Sequence, residues 1–574
     1  MSHPTAPPLA FPACNLSPAR SSTRRSRPEQ AACLSRAPAG RSQRHQAREL
    51  GVSRGQVRHW QQRRKSSAAP GPEVEFFESP AGLDLLHRIQ VALQMTITLA
   101  GGGGIRQVCT FLELSGLSCH IASSYGSQRQ ANAQLEALMV EYGRQQRERL
   151  REGMPARKIT VCEDETFHPR TCLVGIEPVS GFILLERYAD GRSAETWDDA
   201  LAEATQDLPV AVIQVASDQA KGIHRHAGNL GAHPSPDLFH LQRDIVKATG
   251  FTLRRAERRA EAAVATARED WAQARQDAAQ HDSQARRQGR PSRQWARRAE
   301  AAELRLLSAQ ADLELARQRR EQARQAVRAI GSAYHPYDLQ SGQPQAIEHV
   351  QARLETRWER LERIARDAPL PDRCQRLLEK AKGLTPALLL TLQFFFTTLR
   401  IKVEALNLPP ELEVILERQL IPAIYLDRAA DRCGKAEERR RLRELSQALL
   451  RSLRRTDGPL AALDEAGRRR VEEVATECAD LFQRSSSAVE GRNGQLSLHH
   501  HGQHRLSDRR LAAKTVVHNY LIRRSDGTTA AQRFFGKPPD DLFQWVLARA
   551  KPPARPAKKR PRPAKAGYLQ DLAA

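Results

Sequence analysis

Only residues 158–245 of this 574-residue chain carry the rhythm of β-strands, so whatever sheet the protein builds must be assembled there. Lys158–Asp164 is a first strand, an apolar run closing on acids. Thr171–Glu177 (TCLVGIE) and Phe182–Tyr188 (FILLERY) flank Pro178, Ser180 and Gly181, which suit a hairpin turn. Ser193 can cap an amphipathic helix running to Thr205. Val210–Ala216 is apolar throughout, as a strand buried on both faces should be. A helix is expected over Lys221–Asn229, and a fifth short strand over Asp237–His240 before the next helix. The order β-β-β-α-β-α-β describes an α/β domain around a mixed sheet.

Everything else reads as helix or as unstructured chain. Thr252–Ile330 is dominated by Ala, Arg, Glu and Gln, with Gly289-Arg290-Pro291-Ser292 interrupting it near the middle. Two helices of roughly 35 residues folded back on each other would reach ~50 Å at ~1.5 Å per residue. Their apolar seam, mostly Ala, fits an antiparallel coiled-coil hairpin over 252–330. Helical periodicity continues over 345–480, so 246–481 is expected to be one all-α insertion. Leu384–Leu399 (LTPALLLTLQFFFTTL) is the longest apolar run. At 16 residues, with a Pro and several Thr, it falls short of a membrane span and reads as a buried helix.

The chain carries 90 Lys and Arg against 66 Asp and Glu, a formal charge of +24 that favours a polyanionic partner. Residues 1–40 form a basic arm expected to be disordered, and 549–574 a basic tail, with seven basic residues and no acid in KPPARPAKKRPRPAKA. In 41–66, Ala47 and Leu50 share one helical face, Gly51 permits a tight turn, and Ser53 can cap a second helix carrying Val57 and Trp60. That is a helix-turn-helix pattern, with Arg54, Gln56, Arg58 and His59 facing outward as candidate DNA contacts. A plain helical hairpin is the alternative. A second helical region fills 67–157, with Arg129–Leu150 as a surface or connecting helix. Nine cysteines without a C-x-x-C pair signal neither a zinc site nor a disulfide framework, and a reducing cytoplasm fits them.

Three acids carry the chemical signal. Asp164 and Asp218 each close a strand-like run, and Glu490 opens a helical segment far downstream. On so basic a chain, carboxylates holding a divalent metal are an economical means of cutting or joining a polyanion. Each has an alternative. Glu163 or Glu165 can replace Asp164 as ligand, Asp218 can be a helix cap, and Ser487-x-x-Glu490 fits a capping box, with Glu477 and Asp480 in reserve. Lys221, His240 and Arg492 are placed to approach a phosphate, while His499, His500, His501 and His504 read as phosphate or surface contacts.

The strand order with its two aspartates and late glutamate resembles the DDE transposases of the RNase H-like (retroviral integrase) superfamily, of the bacterial insertion-sequence type. The phrases Asp164-Glu165-Thr166, Ser217-Asp218, Asp237-Leu238-Phe239-His240, Glu490-Gly491-Arg492-Asn493 and His518-Asn519-Tyr520 carry the resemblance, over roughly 158–245 and 482–548. The 54 residues between Asp164 and Asp218 suit the fold, and the α insertion accounts for the 272 between Asp218 and Glu490. The resemblance implies an RNase H-like core with Asp164, Asp218 and Glu490 as catalytic ligands of two Mg²⁺ ions, for which Mn²⁺ can substitute. One ion would activate a water or a DNA 3′-hydroxyl, and the other would stabilise the leaving oxygen. It further implies double-stranded DNA, both transposon end and target, as partner, a homo-oligomer, no membrane, and a cytoplasmic, nucleoid-associated location. A catalytically inactive DNA-binding descendant, a nuclease without strand transfer and a basic coiled-coil scaffold are the rival functions.

Overall fold

The structure is a computed structural model describing residues 34, 42–65, 72–167, 169–287, 293–368, 370–453, 455, 458–503 and 506–556. Most of the basic arm and tail, the Gly289–Ser292 breaker and His504 therefore lie outside the described residues. The chain forms two compact units. One joins the residues up to Arg147 with His501–Val517 and the stretch from Pro539; the other joins Glu148–His500 with His518–Pro538. The block expected over 482–548 is thus divided between them.

In the first unit, α1 (Gln43–Glu49) and α2 (Arg54–Lys65) form the expected helical pair. Gly51 takes the left-handed φ of +62° that ends α1. Ser53 then caps α2 reciprocally: its hydroxyl accepts from the Gln56 N–H, and the Gln56 side chain accepts from the Ser53 N–H. Leu34, Ala47, Val57 and Trp60 close a small core between them. The long helix α3 (Tyr125–Arg151) is more than a surface connector, because Leu135, Met139, Tyr142 and Leu150 are buried along it. Residues 508–517 belong to this unit because the buried Lys514 ammonium donates to the carbonyls of Thr98 and Leu99, both at 2.9 Å. A cation answering the orphan carbonyls at a helix end is a favourable use of a buried lysine.

The second unit holds the sheet, in the order β3-β2-β1-β4-β5. β1 (Arg157–Phe167) pairs antiparallel with β2 (Thr171–Glu177), and β2 with β3 (Phe182–Ala189). β4 (Val210–Ser217) runs parallel to β1, and β5 (His233–Pro236) parallel to β4. Ser193 caps α4 (Ala194–Thr205), accepting from the Thr196 N–H at 3.3 Å. Trp197 and Ala200 of α4 and Ile223 and Ala227 of α5 (Lys221–Asn229) pack on Leu173, Leu185 and Val215 of the sheet. The fifth strand lies earlier than expected. His233–Pro236 forms it, and Asp237 instead caps a helix by accepting the Phe239 N–H at 2.7 Å. Two prolines are tolerable there because β5 is an edge strand with no further ladder to serve.

That helix, α6 (Leu238–Arg287), runs 50 residues, and α7 (Arg293–Ala333) runs 41, longer than the roughly 35 expected for each arm. At ~1.5 Å per residue the arms measure ~75 and ~60 Å. Their register is antiparallel. Arg317 and Arg320 bind Glu257, Arg317 also reaches Glu261 at 3.1 Å, and His281 stacks on Trp295 at 4.1 Å. The first turns of α6 are core rather than coiled coil, since Leu241, Ile245 and Ala248 are fully buried. They join a large helical cluster with Trp358, Tyr337, Phe482 and the face Leu388, Leu392, Phe395, Leu399 and Val403 of α8 (Thr385–Glu404). The stretch Asp372–Glu404 is long and apolar enough to cross a membrane by length and composition. In the structure it is two helices, broken at Leu384, and the second turns this apolar face into the cluster.

Leu388→Ala should therefore cost about 2–5 kcal/mol, whereas Leu390→Ala, at a position 56% exposed, should stay within about 0.5 kcal/mol. Chemical denaturation of both variants checks the assignment; equal effects would contradict it.

Candidate active site

The parallel ladder between β1 and β4 ends at the pair Cys162 and Ala216. Two residues further along each strand, on the same pleat face, stand Asp164 and Asp218. Neighbouring strands lie ~4.8 Å apart, so the two aspartates emerge side by side where β4 stops. Asp164 does not end its strand. β1 continues to Phe167, and Asp164 stands opposite Val174 of β2. The flanking acids project to the other face by alternation. Glu163 is fully buried against His226, with Oε1 3.4 Å from Nε2, and Glu165 accepts from the Trp197 indole at 3.4 Å. His226 is in turn held by Asp198 at 2.5 Å, so Glu163 anchors α5 to β1 and is not available as an alternative ligand. Asp218 does serve as a local cap with one oxygen: Oδ1 accepts the Ala220 N–H at 2.9 Å, across Gln219 at φ 64°. Lys221 follows, exposed in the first turn of α5.

Glu490 comes from α9 (Ser487–Gln503). The capping box does not form, because the Ser486 carbonyl accepts both the Val489 and Glu490 N–H groups. The Glu490 carboxylate instead lies 3.1 Å from His240 Nε2 and 3.7 Å from Arg243. His240 is oriented by Asp237, whose Oδ2 lies 2.8 Å from Nδ1. Asp237 is buried and also accepts from the Ser486 hydroxyl, tying the start of α6 to the start of α9. One turn beyond Glu490 on the same helical face, Asn493 donates to Asp164 Oδ2 at 2.9 Å.

The electrostatics tie the three acids together. Burial, then the charge of Glu490, then that of Asp218 push the Asp164 carboxyl up to about 7, against the Glu165 N–H and His240, which pull it down. Burial also raises Glu165, with a further push from Asp218. His240 is pulled down by burial, but the hydrogen bond and charge of Asp237 outweigh this and leave it raised. Crowded, partly dehydrated carboxylates of this kind are hard-oxygen donors whose repulsion a divalent cation would relieve. The donor chemistry thus fits Mg²⁺. A finished ligand sphere is not preformed: among the described residues no group of three or more His, Cys, Asp or Glu stands around one point. Glu490 is held by His240 and Arg243.

Other expected contacts are placed elsewhere. Arg492 does not face a phosphate. It is 4% exposed and forms a bidentate pair with the buried Glu186, both contacts at 2.7 Å. His499 and His500 are buried and not surface contacts, His500 lying 3.3 Å from the Tyr188 hydroxyl. Glu477 and Asp480 pair with Lys402 and Arg428, away from the aspartates. On α2, Arg54 and Arg58 are exposed, His59 is half-buried, and Gln56 is engaged at the cap. Sequence reasoning missed Asn493, Asp237 and Arg243 as site residues. Spacing of three residues, Asp237 to His240 and Glu490 to Asn493, was the available signal.

Residues 416–562 match a family described as a family of unknown function, DUF6399; the match takes in Glu490 and Asn493 and neither aspartate. No curated protein and no solved structure matches the chain.

Two outcomes follow from this geometry. Because the folded-state carboxyl of Asp164 lies above its ordinary 3.8, the folded protein holds a proton that the unfolded chain has released. The associated stability is present below about pH 4 and is lost as pH rises through about 7. Asp164→Asn should remove that decline and melt higher than wild type at pH 8, by at most on the order of 4 kcal/mol, taking ~1.4 kcal/mol per tenfold change in proton affinity. Thermal melts across pH check it. Arg492→Met should destabilise the fold by about 3–5 kcal/mol, because it removes the bidentate cation from a Glu186 carboxylate that is fully out of water; denaturation of the purified variant measures the loss.

Proposed function

We propose that the protein is a DNA transposase whose RNase H-like core cuts transposon ends and joins them to target DNA at Asp164, Asp218 and Glu490. The observation that carries the proposal is geometric: Asn493, one turn beyond Glu490 on α9, donates to Asp164 Oδ2 at 2.9 Å, on the strand whose parallel neighbour leads to Asp218. A chain segment 272 residues downstream is returned to within electrostatic reach of the paired aspartates, despite the helical detour. The sheet order, with one acid on the central strand and one just beyond its parallel neighbour, is similar to that of RNase H-like polynucleotidyl transferases. Two Mg²⁺ ions held by these carboxylates would activate a water or a 3′-hydroxyl and stabilise the leaving oxygen.

The chain's own residues do the rest. Asn493 fixes one oxygen of Asp164 and leaves the carboxylate a single orientation. Asp237 holds the His240 ring so that Nε2 faces Glu490, and Arg243 neutralises the same carboxylate from α6. Lys221 offers an exposed cation beside Asp218 for a DNA phosphate. Arg54 and Arg58 on α2, with Gln56 and His59, are assigned to reading double-stranded DNA in a helix-turn-helix mode. The formal charge of +24 supplies the nonspecific attraction. The α6–α7 hairpin is assigned to bridging DNA or protomers of a homo-oligomer working in the bacterial nucleoid.

The engagement of Glu490 by His240 and Arg243, with no ready ligand sphere among the described residues, favours a second reading: a catalytically inactive descendant that retains DNA binding. Cleavage of a supercoiled plasmid bearing the element's ends separates the two. Wild type should nick it with Mg²⁺ or Mn²⁺, and Asp218→Asn should lose on the order of 10²–10³ in rate, since metal catalysis supplies several kcal/mol. DNA binding without cleavage in either metal would leave the inactive reading standing. Cleavage without joined products would make the protein a nuclease.

A further inference from the structure

At the opposite end of the central strand from the acids lies a cavity of about 640 Å³, within the second unit. It begins where β1 begins: Lys158 and Asp164 are six residues apart, ~20 Å along the strand at ~3.3 Å per residue. We propose that this cavity is an anion site for a nucleotide-sized ligand bearing several phosphate groups, built from Arg157, Lys158, Arg432, Arg524 and Arg533.

The case is one of unbalanced charge. Five acids also line the cavity, and each is committed. Glu477 and Asp480 pair with Lys402 and Arg428, and Asp431 pairs with Arg443 at 2.8 Å. The Glu177 carboxylate closes its own turn by accepting the Val179 and Ser180 N–H groups at 2.9 and 2.8 Å. Asp526 accepts the Thr528 N–H and hydroxyl. Among the described residues, the five remaining cations have no carboxylate within ion-pair distance.

Three of them, Arg157, Arg524 and Arg533, are nevertheless fixed in place by neutral groups, while Lys158 and Arg432 are exposed at the rim. The Arg157 guanidinium stacks on the Phe534 ring at 4.4 Å and donates to the Phe534 carbonyl at 2.5 Å. Arg533 donates to the carbonyls of Ser180 and Thr528, both at 2.9 Å, and Arg524 to that of Val179 at 3.2 Å. Dehydration lowers the proton affinity of Arg157, Arg524 and Arg533, against the attraction of Glu177 and Glu477 at Arg157 and of Asp526 and Glu177 at Arg524 and Arg533, while neighbouring arginines push Arg524 and Arg533 further down. Preorganised guanidinium groups without a carboxylate in direct contact suit phosphate oxygens, which they bind in charge-assisted, often bidentate pairs. The volume falls in the range of small-molecule sites, about 300–1,000 Å³. The phosphates can come from a free nucleoside polyphosphate or from the end of a nucleic-acid strand.

Isothermal titration of the full chain tests the site at about 0.15 M salt, where surface charges are screened beyond ~8 Å. The titrants are tripolyphosphate, ATP and a 5′-phosphorylated single-stranded oligonucleotide. Wild type should bind at least one of them. Lys158→Gln with Arg432→Gln, at exposed positions without ion pairs, should weaken that binding about tenfold or more, ~1.4 kcal/mol. Arg432→Lys should retain most of it. Arg254→Gln with Arg258→Gln, on α6, should change it less than about twofold, which excludes attraction by net charge alone. Asp218→Asn should bind as wild type does, which keeps this site separate from the catalytic proposal. Preference for tripolyphosphate or ATP would assign the free ligand, and preference for the oligonucleotide the strand end. No binding by wild type, or equal losses in the cavity and α6 variants, would overturn the site.

Discussion

The parallel pairing of β1 with β4 is the constraint on which the rest of this protein depends. It brings two residues, 54 apart in the chain, to one end of adjacent interior strands, on the same pleat face. Two like charges in a partly buried position are unfavourable unless something answers them. Asn493 and His240 answer in part, and the remaining repulsion appears as an Asp164 proton held to about pH 7. The fold thus maintains an electrostatic tension at this end of the strands that a structural role alone does not require.

The other end of the same strands carries the opposite sign. Dehydrated arginines gather around the start of β1, as carboxylates gather past the end of β4. In both clusters part of the charge is anchored by neutral or local partners: Asp164 by Asn493 and the Glu165 N–H, and Arg157, Arg524 and Arg533 by backbone carbonyls. The buried pairs Arg492–Glu186 and Glu163–His226 are different. Their charges are matched inside the protein, and they lock α9 and α5 to the sheet.

Local pattern located nearly every element of the sheet, because strands and caps are short-range features. Thr171–Glu177 and Lys221–Asn229 have the predicted ends, and Ser193 and Ser53 cap as their positions suggested. The fifth strand was misplaced because Asp237-Leu238-Phe239-His240 has strand-like composition while Asp237 is a strong helix cap. The hairpin arms were underestimated because their first turns are ordinary core, with Leu241 and Ile245 indistinguishable by type from strand-adjacent residues. Arg492 looked available for phosphate because nothing near it in sequence reveals Glu186, 306 residues earlier.

The order of amino acids by itself determined four of the five strands, which helices carry apolar faces, and that one aspartate lies on the first strand and another just past the fourth. It did so through alternation, capping and charge, all of which act over a few residues. Tertiary structure alone decided that Glu490 faces His240 and Arg243, that Asn493 reaches Asp164, and that five cations share a cavity with no acid to spare. His240 and Glu490 are 250 positions apart, Asp164 and Asn493 329, and Arg157 and Arg533 376, and side-chain neighbours at such separations are set by packing, not by local preference.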